Sequence, residues 1–371
     1  MKGSTGTGII QLVGVTLISL MVSSLGVDFA WYFAAQNQLQ TAADAGALAA
    51  IHKLFDGTAP SASARQQAAI TVAQNFVAQN TTQGVALDSQ DVTFGYVDPS
   101  TKRANLNTFT TASSSSGLSH TGGYNAIKVA VHRDAGHTGG AMPTVFAQLF
   151  DFDTMDAAAF AIAMADNRIG QVNSGVRPIY ACESQWLLAK AALDAGNTSP
   201  RVRIYGDNFQ IQQQGQWRNV AGCPSPGSGN WGFADLRDCN NGSVGASTVG
   251  QWFANGYPGS VTVGQCYSTK PGNFIASGPV NSALNGLISN QTEVLVPVVP
   301  ANAFRGKGSN TQVTPSAFVG FVFTGYQATG NQNGRYIEGY YTRKVCSSGQ
   351  CEPRETATAG GVSVLRLVGT Q

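Results

Sequence analysis

Charge is scarce in this chain. Asp, Glu, Lys and Arg make up 11% of its 371 residues, against about a quarter in ordinary soluble domains, and the net charge is only +2. A nucleic-acid partner would need a basic field, so that class of function is set aside. No cysteine precedes Cys182, no glutamate precedes Glu183, no histidine follows residue 168, and C-x-x-C does not occur. Zinc chemistry in the second half therefore lacks its usual ligand spacing and any histidine. The absence of G-x-S-x-G removes the strand-to-helix elbow that exposes a nucleophilic serine. The most local gap is at the start: between Lys2 and Asp28 there is no charged residue at all.

What fills that gap is apolar. Residues 8–27, GIIQLVGVTLISLMVSSLGV, are dominated by Ile, Leu, Val and Met. About 20 such residues at 1.5 Å each match a hydrocarbon core roughly 30 Å thick, so the run is read as a membrane span. A secretory signal peptide would have a shorter apolar core and a small-residue cleavage site, which Ser23-Ser24-Leu25-Gly26 could imitate. A buried core helix would usually carry a polar stripe, and only Gln11, Thr16, Ser19, Ser23 and Ser24 are polar here. A retained anchor is the expectation, because it also accounts for the helical spacing that continues past Asp28.

After Asp28 the small or apolar residues Leu39, Ala42, Ala43, Gly46 and Ala50 recur at steps of three and four, with Gln36, Gln38, Gln40 and Asp44 between them. That is amphipathic helix spacing, and no Gly or Pro stands between Val27 and Asp44 to stop it. Gly46 is the first weak point, since a mid-helix glycine costs about 1 kcal/mol relative to alanine. The span is thus expected to run on into water as one rod of about 45 residues. Trp31 and Tyr32 fall where aromatic rings settle at a membrane surface, and Asp28 falls at headgroup level. Lys2 and the amino terminus on the short side place the N-terminus in the cytoplasm. The stripe of Ala and Gly suggests close packing against this chain's own domain or against a partner helix, which makes self-association a hypothesis.

All six cysteines, Cys182, Cys223, Cys239, Cys266, Cys346 and Cys351, lie in residues 169–371, within the part of the chain expected to be exported. An even count there suggests disulfides, although six cysteines allow 15 pairings. CSSGQC could close a short hairpin between Cys346 and Cys351, and Cys223 with Cys239 could close a loop.

The fold class expected is α+β: a long N-terminal transmembrane helix continuing into a small α/β domain, then a β-rich disulfide-containing domain. The divisions read are 1–55, 56–168 and 169–371. Residues 62–79 space Ala69, Val72, Phe76 and Val77 on one helical face, and DVTFGYVD from Asp91 and NAIKVAVHR from Asn125 alternate as half-buried strands do. MDAAAFAIAMAD from Met155 is ambiguous by composition and is read as a buried strand. Beyond it, VRIYG, EVLVPVV, AFVGFVFTGY, RYIEGYYTRKV and GVSVLRLV read as strands, with short helices at STVGQWFANG and VNSALNGLI.

Chemistry finds little support. GSGNWG matches G-x-G-x-x-G, but CPSP precedes it and no helix follows, so it is read as a tight loop rather than a dinucleotide site. His132 and His137 lack the H-E-x-x-H arrangement and no third ligand is indicated, so solvated loop histidines are expected. The pairs Asp151 with Asp153 and Asp235 with Asp238 read as turn chemistry. No catalytic, cofactor-binding or metal residue is assigned, and no cofactor is expected.

VDFAWYFAAQNQLQTAADAGALAA resembles the N-terminal signature of the TadG-like family of Flp (tight adherence) pilus-assembly proteins. In that family an apolar span runs into V-D, an aromatic, Q-L-Q and A-A-D-A. Val27-Asp28, Tyr32, Gln38-Leu39-Gln40, and Ala42-Ala43-Asp44-Ala45 occupy those positions here, while Ala35 and Gln36 stand where a basic residue is frequent. The order of elements through MPTVFAQLFDFDTMDAAAFAIAMA is similar to the small domain after that anchor. The resemblance implies a non-enzymatic, membrane-anchored structural component of adhesive pilus assembly. It would sit in a bacterial inner membrane with the bulk of the chain periplasmic or extracellular, and its partners would be other pilus-assembly or pilin proteins. Some members carry a von Willebrand A domain; its D-x-S-x-S loop does not occur here. A pilin-like filament subunit is the alternative. Lys2-Gly3-Ser4 could pass for a leader-peptidase site, but the acid expected five residues into the mature chain is missing.

Overall fold

One helix, α1 (Ser4–Phe55), runs 52 residues without interruption, as the apolar run and the Gln/Ala stretch together predict. The computed structural model describes residues 4–56, 61–87, 91–101, 107–114, 119–204, 209–223, 233–239, 244–270, 274–305, 311–329, 335–354, 357 and 359–370. From residue 11 to 27 nearly every side chain of α1 is exposed; from Asp28 onward one face becomes buried. The helix therefore meets two environments along its length, and the change falls at the first charge in the run.

The buried face packs on α2 (Ala62–Ala78) and on an antiparallel sheet. Ser61 caps α2, its hydroxyl accepting from the Ala64 amide at 3.1 Å. Asp91–Gly95, Ala126–Arg133 and Ala157–Asp166 lie side by side in the sheet. The ambiguous alanine-rich stretch is a strand, and its alternation has a purpose. Ala157, Ala159, Ala161, Ala163 and Ala165 join the core that also holds Ala35, Leu39, Ala42, Ala43, Ala47 and Ala50 of α1. Ile162 and Met164 pack on the opposite side with Val97, Phe109 and Val368. Alanine therefore faces alanine across the helix–sheet contact. With side chains this short the backbones come close, so contact is gained by proximity rather than by side-chain bulk.

The next strand of this sheet is Val362–Thr370, the chain's last. It pairs antiparallel with the alanine-rich strand, from Val364 opposite Asp166 to Thr370 opposite Ala161. The sequence placed GVSVLRLV with the β-rich segment that precedes it; in space it closes the sheet of the first unit. The two units are thus joined at both ends of the second one.

The second unit is built on a seven-stranded sheet in which Glu293–Val299, Ala317–Gln327 and Tyr336–Thr342 lie side by side. Helices α4 (Ala246–Asn255) and α5 (Gly278–Ser289) fall where the sequence places them and pack on each other. A helix not expected, α3 (Glu183–Asp194), contributes the buried Trp186, whose ring stands edge-on to Tyr341 at 5.9 Å. Three disulfides hold this unit: Cys182–Cys223, Cys239–Cys266 and Cys346–Cys351. The short hairpin pair is present. The Cys223–Cys239 loop is not, because Cys223 is bonded to the residue that precedes α3 and Cys239 to Cys266.

Candidate functional site

Asp28, Tyr32, Gln38, Leu39, Gln40, Ala43 and Asp44 of the α1 signature each contact the helix's own domain or a neighbour on α1. Leu39 and Ala43 are fully buried, in the core shared with α2 and the sheet. The Gln36 amide donates to the Ala158 carbonyl at 2.8 Å, and the Gln40 amide to the Phe160 carbonyl at 3.1 Å and to Asp44 Oδ1 at 2.7 Å. Gln38 Oε1 accepts from the Gln83 backbone amide at 3.0 Å. Tyr32 packs at the edge of this core. Val27, one step earlier, is exposed. The Ala/Gly stripe, left open between two roles in the sequence, is occupied by this chain's own domain. Ala42, Ala43, Ala47 and Ala50 are sealed, so self-association cannot use them.

Asp28 is the junction. It is 4% exposed, and its carboxylate accepts from three successive backbone amides: Val145 at 2.7 Å, Phe146 at 3.1 and 3.2 Å, and Ala147 at 2.7 Å. These amides open the short 3-10 turn Ala147–Phe150. Desolvation pushes the carboxyl upward, and the amides of Val145, Ala147 and Phe146 outweigh it, leaving the group below its ordinary value. The sequence placed this acid at headgroup level because it falls where the span ends. Its partner lies 117 residues away in a loop, and no local signal announces it.

The turn that Asp28 holds is unusually apolar at its surface. Val145, Phe146, Leu149, Phe150 and Phe152 are all exposed, Leu149 at 75% and Phe152 at 67%. Phe146 and Leu149 face Leu20, Met21, Ser24 and Val27 of α1 across a shallow groove. The aromatic residues Phe29, Trp31 and Phe33 are exposed on α1 just beyond.

A second cluster corrects the reading of the histidines. His132 lies near the end of the Ala126–Arg133 strand, and both it and His137 are half-buried rather than solvated. Their rings stack 4.6 Å apart at 12°, and ligand atoms of Asp91, His132 and His137 lie within 4.8 Å of one another. Asp91 is the third group the sequence did not indicate. Asp134 sits 2.7 Å from His137 Nδ1. Two imidazoles and a carboxylate are a donor set suited to a divalent transition ion. With the rings stacked, however, their in-plane lone pairs do not converge until one ring rotates.

A third cluster ties the two units together. His120 is buried against Phe55 at the far end of α1, 3.8 Å from Asp194 at the end of α3. Burial, aided by Arg343, Arg65 and Lys190, pushes its pKa down to about 2. Elsewhere, Asp235 is not turn chemistry but a buried strand residue paired with Arg237 at 2.9 Å, while Asp151 does turn the chain, at φ 63°. GSGNWG lies outside the described residues. None of these groups forms a nucleophile–base pair.

Residues 49–163 match a family model described as "putative Tad-like Flp pilus-assembly". The match runs from the last two residues of the signature stretch, at the end of α1, through α2 and into the alanine-rich strand, and it supports the Tad-like Flp pilus family reading. The apolar span and the whole of the second unit lie outside it. No curated protein and no solved structure matches the chain.

Proposed function

From a chain that carries a Tad-like Flp pilus-assembly domain, we propose a membrane-anchored, extracytoplasmic structural component of pilus assembly that contributes to surface adhesion. The observation that carries the reading is the division of α1 at Asp28. From residue 11 to 27 the uncharged stretch before it is almost wholly exposed, meeting the domain at the groove with Phe146 and Leu149, and the stretch after it is the central strut of the small domain. An apolar helix surface of that extent is costly in water and at home in lipid. In this reading the N-terminus is cytoplasmic, residues 8–27 cross the inner membrane of a bacterium, and both folded units lie outside, where the disulfides form. The TadG-like signature favours that branch of the family. The partners proposed are other pilus-assembly or pilin proteins, and the role is structural rather than enzymatic.

The test is the intact mass of the protein extracted from bacterial membranes without reduction, together with protease access in spheroplasts. An unprocessed chain, lighter by two protons for each disulfide and digested from outside, supports the proposal. A chain starting at Ser4 would point to a filament subunit instead. One starting near Gly26 in the soluble fraction would mean a cleaved signal, and the anchor would be wrong.

A further inference from the structure

We infer that segment 145–152 is a second membrane contact, a turn that lies in the lipid interface beside the exit of α1. The inference rests on the anchoring reading above and adds to it a site that neither the apolar run nor the signature contains.

Position is the first argument. The turn hangs on Asp28, the residue that ends the uncharged run, and from there it folds back along the span rather than away from it. Phe146 and Leu149 line a groove with Leu20, Met21, Ser24 and Val27. The groove follows the last two turns of the span, up to Val27, so if residues 8–27 are in lipid the side chains that line it reach into that lipid from the headgroup side.

Composition is the second. Five large apolar side chains are exposed within eight residues, in a chain whose other exposed large apolar groups are mostly on the span itself. Phe29, Trp31 and Phe33 add exposed rings on α1 just past Asp28, the arrangement expected of an interfacial belt.

Backbone satisfaction is the third. Polar backbone enters an apolar medium only when its hydrogen bonds are made. Here Asp28 takes the amides of Val145, Phe146 and Ala147; the Leu149, Asp151 and Phe152 amides bond to the carbonyls of Phe146, Gln148 and Ala147. The Thr144 hydroxyl donates to the Phe152 carbonyl at 2.5 Å. Asp151 and Asp153 set the limit: carboxylates keep the turn among headgroups instead of deeper.

The experiment uses the full chain in phosphatidylcholine vesicles with an environment-sensitive fluorophore on one introduced cysteine, the native six being paired. Leu149→Cys reports the turn, Ile18→Cys the middle of the span, and Leu187→Cys, exposed on α3, the aqueous reference. Lipids carrying a nitroxide near the headgroup or deep in the chain are the quenchers. The Leu149 label is expected to be quenched more strongly by the shallow quencher than by the deep one. The Ile18 label should show the reverse order and the Leu187 label neither. A quenched Ile18 label with an unquenched Leu149 label overturns the inference and leaves the anchor standing. An unquenched Ile18 label removes the anchor and the inference with it. A Leu149 label that is blue-shifted yet untouched by either lipid means that protein, such as a second copy of this chain, covers the turn, and that also overturns it.

Discussion

Gly46 is where the packing of α1 can be tested most directly. A Cβ built there would lie 2.9 Å from Val77 Cγ2, 3.4 Å from Val129 Cγ1 and 3.5 Å from the Ala73 carbonyl oxygen. All three neighbours are fully buried, on α2 and the sheet. Val77 cannot simply turn away, because a β-branched side chain inside a helix has essentially one rotamer. Gly46→Ala sets two effects against each other. The helix gains about 1 kcal/mol of propensity, and the clash with Val77 takes back a similar amount. The net change is expected to be near zero. Gly46→Val gains less propensity and adds two methyl groups toward atoms already at contact distance. Overpacking of about 1–3 kcal/mol then dominates, and we expect a loss of about 2 kcal/mol.

For a cooperative unit of this size that loss lowers the melting temperature by roughly 4–8 °C, readable by circular dichroism on the detergent-solubilised chain. Gly26→Ala is the control, since nothing lies within 4 Å of a Cβ there. If Gly46→Val melts like the wild type, α1 does not press on α2 as described. The small-residue stripe would then be free for another helix, and the case against self-association through it would collapse.

Other perturbations probe separate parts of the molecule. In the chain-entropy account, loops of 41, 27 and 5 residues closed by Cys182–Cys223, Cys239–Cys266 and Cys346–Cys351 are stabilised by about 4, about 3.5 and about 2 kcal/mol. Paired Cys→Ala variants should lose denaturant midpoint in that order, and equal losses would refute the account. For His120, the unfolded chain takes up a proton below its ordinary pKa of 6.5, whereas the folded state resists it down to about 2. Stability from this group is complete above that ordinary value and is lost as pH falls through the window between the two values. By pH 5 the loss is about 2 kcal/mol, and His120→Gln should flatten the profile by that amount; an unchanged slope would show that the ring is not held neutral. Asp28→Asn keeps one acceptor but turns a donor toward the Ala147 amide. Hydrogen exchange at the amides of Val145, Phe146 and Ala147 should accelerate while the rest of α1 stays protected; unchanged exchange would mean that the turn holds itself.

Much of the first unit was legible because its signals are periodic. The uncharged run, the three-and-four spacing after Asp28 and the alternation of Ala157 through Ala165 each follow from the geometry of a single element. Asp28 was legible as an anomaly and not as an answer, since its partners are backbone amides and any sequence carries those. The same holds for Asp91, which reaches His132 only through strand pairing. The Val362–Thr370 strand was recognisable as a strand, but which sheet would take it depends on an edge supplied by the other unit. Helix α3 went unread although Glu183 stands in its first turn and Lys190 pairs with Asp194 one turn on, because its apolar face is short. Disulfide pairing lay out of reach for a combinatorial reason, except where five residues of separation left Cys346 little choice.

These placements bear on what the anchor does mechanically. From Asp28 to Phe55 the helix rises about 40 Å. Along that length it is clamped to its own sheet at Gln36 and Gln40 and sealed by alanine on alanine, with no glycine but Gly46, whose space is filled. At its end Phe55 meets His120, and His120 meets Asp194 of the second unit, while the last strand returns to lock the first sheet. Contacts among the described residues therefore join the end of α1 directly to the second unit. In the proposed orientation the helix is a rigid spacer that sets the height of the disulfide-bonded unit above the bilayer. The turn on Asp28 gives the spacer a second foot, which a single span alone would lack, and with two contacts the unit is held in orientation as well as in height.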